Sequence, residues 1–400
     1  MPYRILTLDG GGSWALIEVR TLIKLYGGDT LGHDVLGKFD LVAANSGGTL
    51  VLGGLVENLS LNTIAQIFLD QNNRQSIFSP TSSVFDDVLE GTLGIGPKYS
   101  ASNKLPAIER LLPQTGNAPL AGCTNAVPGP GGAPVHLVVV GFDYDLNRAV
   151  YFRSAAASGP DLGVGDPANV TLAEALHAST NAPVNYFDAP ATFPGDPGQN
   201  QYWDGGITGN NNPVLVGVVE ALVLGQGATD LHALSLGTAT VSFPLAAPGS
   251  TAGPLQAARS ISSLANDLKK VASSILDDPP DAATFIAHVV TGGGTGLGGG
   301  VVSRVVRMNP LISPLVAAGG GWAPPQGWSL AQFQYLSGIG MDAVAQNDVT
   351  YIDDYCASWL ADVAPNQPIR PNGATFDPWN PEVGYAKFSE AMNAWAQLFP

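Results

Sequence analysis

The apolar and polar positions divide the chain into short apolar runs and longer helical patterns. Ile5-Leu6-Thr7-Leu8 and Phe39-Asp40-Leu41-Val42-Ala43 are compact runs, each ending in a glycine turn: Asp9-Gly10-Gly11-Gly12-Ser13 and Ala44-Asn45-Ser46-Gly47-Gly48. A helical pattern follows each turn, Trp14 to Leu25 and Thr49 to Leu59. Leu61 to Leu112 is mainly helical, with an amphipathic helix over Ser102 to Leu112, and Gly116 to Pro134 reads as a surface loop. Val135 to Phe142 is a continuous β-branched run, which predicts a central strand covered on both faces. Beyond a turn at Asp143 to Arg148, the pattern predicts a strand at Ala149 to Phe152 and helices at Leu172 to Ser179 and Val214 to Leu224. Leu234 to Thr238, within an apolar run that starts at Leu231, reads as the last core strand.

The C-terminal part has another character. Leu255 to Leu276 carries a helical apolar stripe, Thr291 to Gly300 is glycine-rich and reads as a lid or a plain loop, and helices are expected at Gln346 to Leu360 and Pro381 to Leu398. The organisation expected is one α/β core over 1–242, a glycine-rich and helical insertion over 243–330, and C-terminal helices over 331–400 that pack on the core.

Composition narrows the classes. With 400 residues, 45% hydrophobic and 12% charged, the chain is a folded globular protein. A formal net charge of -16 argues against nucleic acid and against electrostatic attachment to anionic membranes, leaving at most transient contact with a lipid surface. Cys123 and Cys356 form neither a disulfide framework nor a zinc motif, and five scattered histidines suggest no metal site. No signal peptide is visible and no apolar run reaches the roughly 18 residues a spanning helix needs, so the expected location is the cytoplasm, with a secreted mature form as the alternative that the low-charge, Gly- and Pro-rich composition also suits.

Three stretches carry candidate chemistry, and each has a plainer reading. Strand, tight turn and helix around Ser46 describe a nucleophile elbow, which lifts a serine hydroxyl above the sheet beside a helix N-terminus; the plainer reading is a βα turn with a capping serine. Gly10 to Gly12 leave backbone N–H groups unscreened by side chains, as an oxyanion hole, as a phosphate loop of the sugar-kinase type, or simply as a tight turn. Asp204, between Tyr202-Trp203 and Gly205-Gly206, is a carboxylate with little backbone in its way, or an ordinary Asp-Gly turn.

Taken together, Asp9-Gly10-Gly11-Gly12, Ala44-Asn45-Ser46-Gly47-Gly48 and Asp204-Gly205-Gly206 with Asn212-Pro213 resemble the patatin-like phospholipase family. Ala175 to Pro183 looks like the family's Ala-x-x-Ala-Ser-x-Ala-Ala-Pro segment, and Leu234 to Thr238 like its Leu-Ser-x-Gly-Thr strand. The resemblance covers about residues 4 to 240. It implies a three-layer α/β/α fold with a mostly parallel central sheet, and a lipid acyl hydrolase that needs no cofactor or metal. Ser46 would be the nucleophile and Asp204 the general base of a dyad. Gly10, Gly11, Gly12 and Gly47 would form the oxyanion hole, and a lipid or ester would be the substrate.

This chain departs from the pattern at the first glycine of the elbow, here Ala44, and after the glycine turn, where Trp14-Ala15 replaces the usual Arg-Gly. An indole there packs against acyl chains or, more simply, anchors the core. Two rival enzymes remain. An α/β-hydrolase triad would add His232 or His288, and a sugar-kinase-like ATPase would use Gly10 to Ser13 for phosphate. The position of His232 at the start of its strand disfavours the triad, and the ATPase leaves the elbow unexplained.

Overall fold

The structure is a computed structural model that describes residues 2–81, 97–155, 170–184, 186–193, 199–293, 303–371 and 379–398. Its centre is a seven-stranded sheet in which five strands are parallel, in the order β3 (His136–Asp143), β2 (Leu41–Asn45), β1 (Tyr3–Leu8), β6 (Leu231–Leu236) and β8 (Val305–Met308). The two-residue strand β7 (Thr240–Val241) lies outside this sheet and pairs with Leu311–Ile312. Two antiparallel strands flank β3: β4 (Arg148–Arg153) along one side, and β5 (Tyr202–Asp204) on the other. All five residues of β2 are buried, as expected for a parallel strand covered on both faces.

Helices cover both faces. The larger core lies under α1 (Leu16–Tyr26), α2 (Gly32–Leu36), α3 (Ser46–Val56), α4 (Leu61–Leu69) and α5 (Gln71–Ile77), joined by α6 (Ala101–Leu111) and α7 (Leu172–Ser179). The smaller core sets Ile5, Leu41 and Val138 against α8 (Val214–Val223) and α9 (Leu264–Val290). The result is the expected three-layer α/β/α arrangement, with a mostly parallel central sheet.

Several elements differ from the sequence reading. Leu234 to Thr238 is not the last core strand: β8 extends the sheet from within the 243–330 segment, in register with β6. The pattern hid it because Arg307 interrupts its apolar run, and that charge is neutralised across the sheet by Asp9. α9 starts at Leu264 rather than Leu255, since Ser263 caps it by accepting the Asn266 N–H, and Ala257 is spent on backbone bonds to the 244–246 loop. The C-terminal helix α12 (Phe388–Leu398) begins later than Pro381, which lies in a two-strand ribbon with Arg370–Pro371. α10 (Leu330–Ser337) and α11 (Gln346–Leu360) complete the α-helices among the described residues, the latter with the bounds expected. The glycine-rich 291–300 stretch falls, from 294 on, outside the described residues. Among those described, no helix is long and apolar enough to cross a membrane.

Candidate active site

β2 ends at Asn45, and the chain turns at Ser46 straight into α3. Ser46 takes a φ of 45°, the left-handed region that L-residues avoid, which is the strained turn of an elbow. Small residues are required here. A Cβ on Gly47 would strike the backbone of Gly12, and one on Gly48 the carbonyls of Leu8 and Asp9. The two glycine turns are therefore packed backbone to backbone, and the Gly48 N–H donates to the Asp9 carbonyl at 3.0 Å.

Sheet register brings Asp204 to the elbow. Asn45 lies opposite Val140 of β3, and Asp204 opposite the next residue, Gly141. β5 thus occupies the side of β3 that β2 vacates, ending where the elbow begins. Asp204 accepts hydrogen bonds from the Gly206 N–H at 2.7 Å and from the Asn45 amide at 3.3 Å, and the Ser46 hydroxyl lies beside its carboxyl. Burial pushes its carboxyl up, and the Ser46 hydroxyl, the Gly206 N–H, nearby Lys104 and Asn45 draw it back.

Asn45 is the hub. Its amide also donates to Asn211 Oδ1 at 3.4 Å, and its Oδ1 receives the Ser179 hydroxyl at 3.5 Å. Ser179 in turn accepts the Ser46 N–H at 2.9 Å, so the nucleophile's backbone donor is already used. Within the glycine turn the roles separate. The Gly10 N–H donates to the Asn211 carbonyl at 2.7 Å and so is not free for a ligand, which corrects its expected place in the oxyanion hole. The N–H groups of Gly11, Gly12 and Gly47 have no acceptor among the described residues.

The glycine turn is braced from below and from the side. Arg307 holds Asp9 through two hydrogen bonds, at 2.9 and 2.5 Å, and burial pushes the Asp9 carboxyl up to about 6 against that pull. Glu18 accepts the Asp9 N–H at 2.6 Å, and burial pushes its own carboxyl well above the usual range. Trp14 is buried and donates its indole N–H to the Gly340 carbonyl at 3.2 Å, so it is the core anchor. The adjacent Met341 carbonyl receives the Ser13 N–H at 2.8 Å.

Ser46, Gly12 and Gly47 line a tight pocket of about 10 Å³, walled mainly by Leu50, Ile77, Phe78, Ala182, Phe187 and Met341, with Thr180 and Tyr186. The wall is apolar, which suits a hydrocarbon chain rather than a nucleotide. The remaining candidates lie elsewhere. His232 pairs with Arg4 at the opposite end of β6, and buried His288 is bonded to Ser303 at 2.7 Å. Sequence reasoning missed Asn211, Ser179, Lys104 and Arg307, which reach the site only through tertiary contacts. Asn45, inside the elbow, was visible but unused.

Comparison with known proteins shows the family of the chain. Residues 6–218 match the family model described as patatin-like phospholipase. A curated relative, an intracellular phospholipase A2 of Caenorhabditis elegans, is 26% identical over 214 residues, covering 53% of this chain but only 16% of that protein. Among solved structures, VipD from Legionella pneumophila superimposes on 90% of this chain and 67% of its own, at 11% identity and a TM-score of 0.36. With the match spanning more than half of its length, the chain belongs to the patatin-like phospholipase family.

Proposed function

We propose that this protein is a lipid acyl hydrolase that cleaves carboxylic esters through a Ser46–Asp204 dyad and an acyl-enzyme intermediate. The observation that carries the reading is the strained Ser46 elbow set by sheet register beside buried Asp204, which the adjoining Asn45 amide bonds at 3.3 Å, at the edge of an apolar pocket. A carboxylate is a weak base in water. Desolvation raises its pKa toward the working range, and the neutral donors around Asp204 leave an oxygen for the serine proton.

The acyl chain lies along Leu50, Phe78 and Phe187, with the ester carbonyl at Ser46. Ser46 Oγ attacks the carbonyl carbon while Asp204 takes its proton. The N–H groups of Gly11, Gly12 and Gly47 stabilise the oxyanion, a contribution of about 2.7 to 4 kcal/mol per donor. As the tetrahedral species collapses, Asp204 returns the proton to the departing alcohol. Water then attacks the acyl-enzyme with Asp204 again as base, and the fatty acid is released. The strongly negative protein meets lipid surfaces only transiently.

The test is hydrolysis of a medium-chain p-nitrophenyl ester and of phosphatidylcholine in mixed micelles by wild type and by Ser46→Ala, Asp204→Asn and His232→Ala. Fold is checked by circular dichroism. Loss of turnover in the first two with His232→Ala active is expected. Full activity in Ser46→Ala would overturn the reading.

A further inference from the structure

Lys104, on α6, is fully buried and has no part in the chemistry above. Its Nζ donates to Asn181 Oδ1 at 2.8 Å and stands 3.8 Å from the centre of the Phe187 ring. Both partners belong to the site. The Asp204 N–H donates to the Asn181 carbonyl at 3.0 Å, and Phe187 is a wall of the pocket. Among the described residues, Asp204 of β5 and His177 of α7 are coupled electrostatically to Lys104. Arg74 of α5 is turned away toward the carbonyls of Phe68 and Val344.

A buried ammonium with one oxygen acceptor is costly unless an anion compensates it. Burial pushes the Lys104 ammonium well below its usual value, and Asp204 opposes that shift. His177 gives no compensation: burial first, and Lys104 second, hold its imidazole well below the usual range, so it stays neutral.

We propose that Lys104 is a positioning residue for the dyad: its head group, braced between Asn181 and Phe187, supplies the positive charge that keeps Asp204 ionised and ready to accept the Ser46 proton. This inference rests on the dyad reading. Lys104 does not line the pocket, so its effect falls on kcat and on the acid side of the pH profile, with KM for the ester unchanged. The sign follows from charge. Removing a nearby cation makes the carboxylate harder to form, so the acid limb moves to higher pH.

The experiment compares wild type, Lys104→Met and Lys104→Met/Asn181→Ala by kcat and KM from pH 5 to 9, and by ¹³C NMR titration of the Asp204 carboxyl. The double variant separates the loss of the Lys104 charge from the cost of an orphaned Asn181 amide oxygen, since it removes both partners of that bond. The expected result in both variants is an acid limb, and an Asp204 titration, displaced upward by about one pH unit. Turnover should then be about tenfold lower on the acid side, with KM unchanged. An unshifted profile and carboxyl titration in a folded variant would overturn the proposal. Failure of the dyad itself is visible separately, as undiminished turnover in Asp204→Asn, whereas the carboxyl titration needs no turnover.

Discussion

Asp9 and Asp204 are both buried aspartates at strand ends of one sheet, and burial pushes both carboxyls up. Their partners differ in kind. Asp9 has each oxygen held by the guanidinium of Arg307, a fixed cation that can neither leave nor give up its proton. Asp204 is met by a hydroxyl, an amide and a backbone N–H, with Lys104 one layer away. A perturbed carboxyl alone therefore does not identify a base. What separates the two is whether a mobile proton donor lies beside the carboxyl, and the Ser46 hydroxyl acts on Asp204 and not on Asp9.

The sharpest way to break this contrast is to neutralise each carboxylate in turn. Asp204→Asn should lower turnover by about 10²- to 10⁴-fold, the usual range for a general base, while the protein stays folded. A stable variant with near-normal kcat would end the distinction. Arg307→Ala should act mainly on stability, because it strands the Asp9 carboxylate in the core. Loss of one partner of a buried pair costs about 3–5 kcal/mol, read as a lower urea midpoint. Intact stability would mean that Asp9 is not held by charge.

Smaller effects sharpen the picture. Gly12 has a φ of 57° and abuts the Met341 carbonyl, so Gly12→Ala should displace one oxyanion donor and reduce kcat by about 10²-fold with little change in KM. A KM effect alone would relocate Gly12 to the acyl wall. The pH dependence has a definite sign. Since burial raises the Asp204 carboxyl and the ionised form is required, turnover should fall on acidification at a pH above the ordinary carboxylate value of about 3.9. A rate flat down to pH 4 would exclude Asp204 as base. Least of all, His232→Ala should leave turnover unchanged, since this residue lies at the far end of β6.

The parts legible from sequence are those whose chemistry is local. Ser46, Gly12 and Gly47 stand in turns where the chain's own strand-to-helix geometry requires small residues, and Asp204 precedes a glycine pair. Their meeting depends on register: β5 is three residues long and finds its place only because β2 stops at Asn45 opposite Val140. The Gly10 N–H read as available because sequence does not reveal the Asn211 carbonyl that takes it. β8 was hidden because Arg307 reads as surface until Asp9, 298 positions away, is placed beside it. Lys104 gave no signal for the same reason, its acceptor lying 77 residues further along.

The most direct test of the central claim is covalent trapping. Wild-type protein treated with an alkyl fluorophosphonate and digested should carry the phosphonyl group on Ser46, and Asp204→Asn should label much more slowly at neutral pH. An adduct on another serine, or equal labelling rates in wild type and Asp204→Asn, would contradict the account.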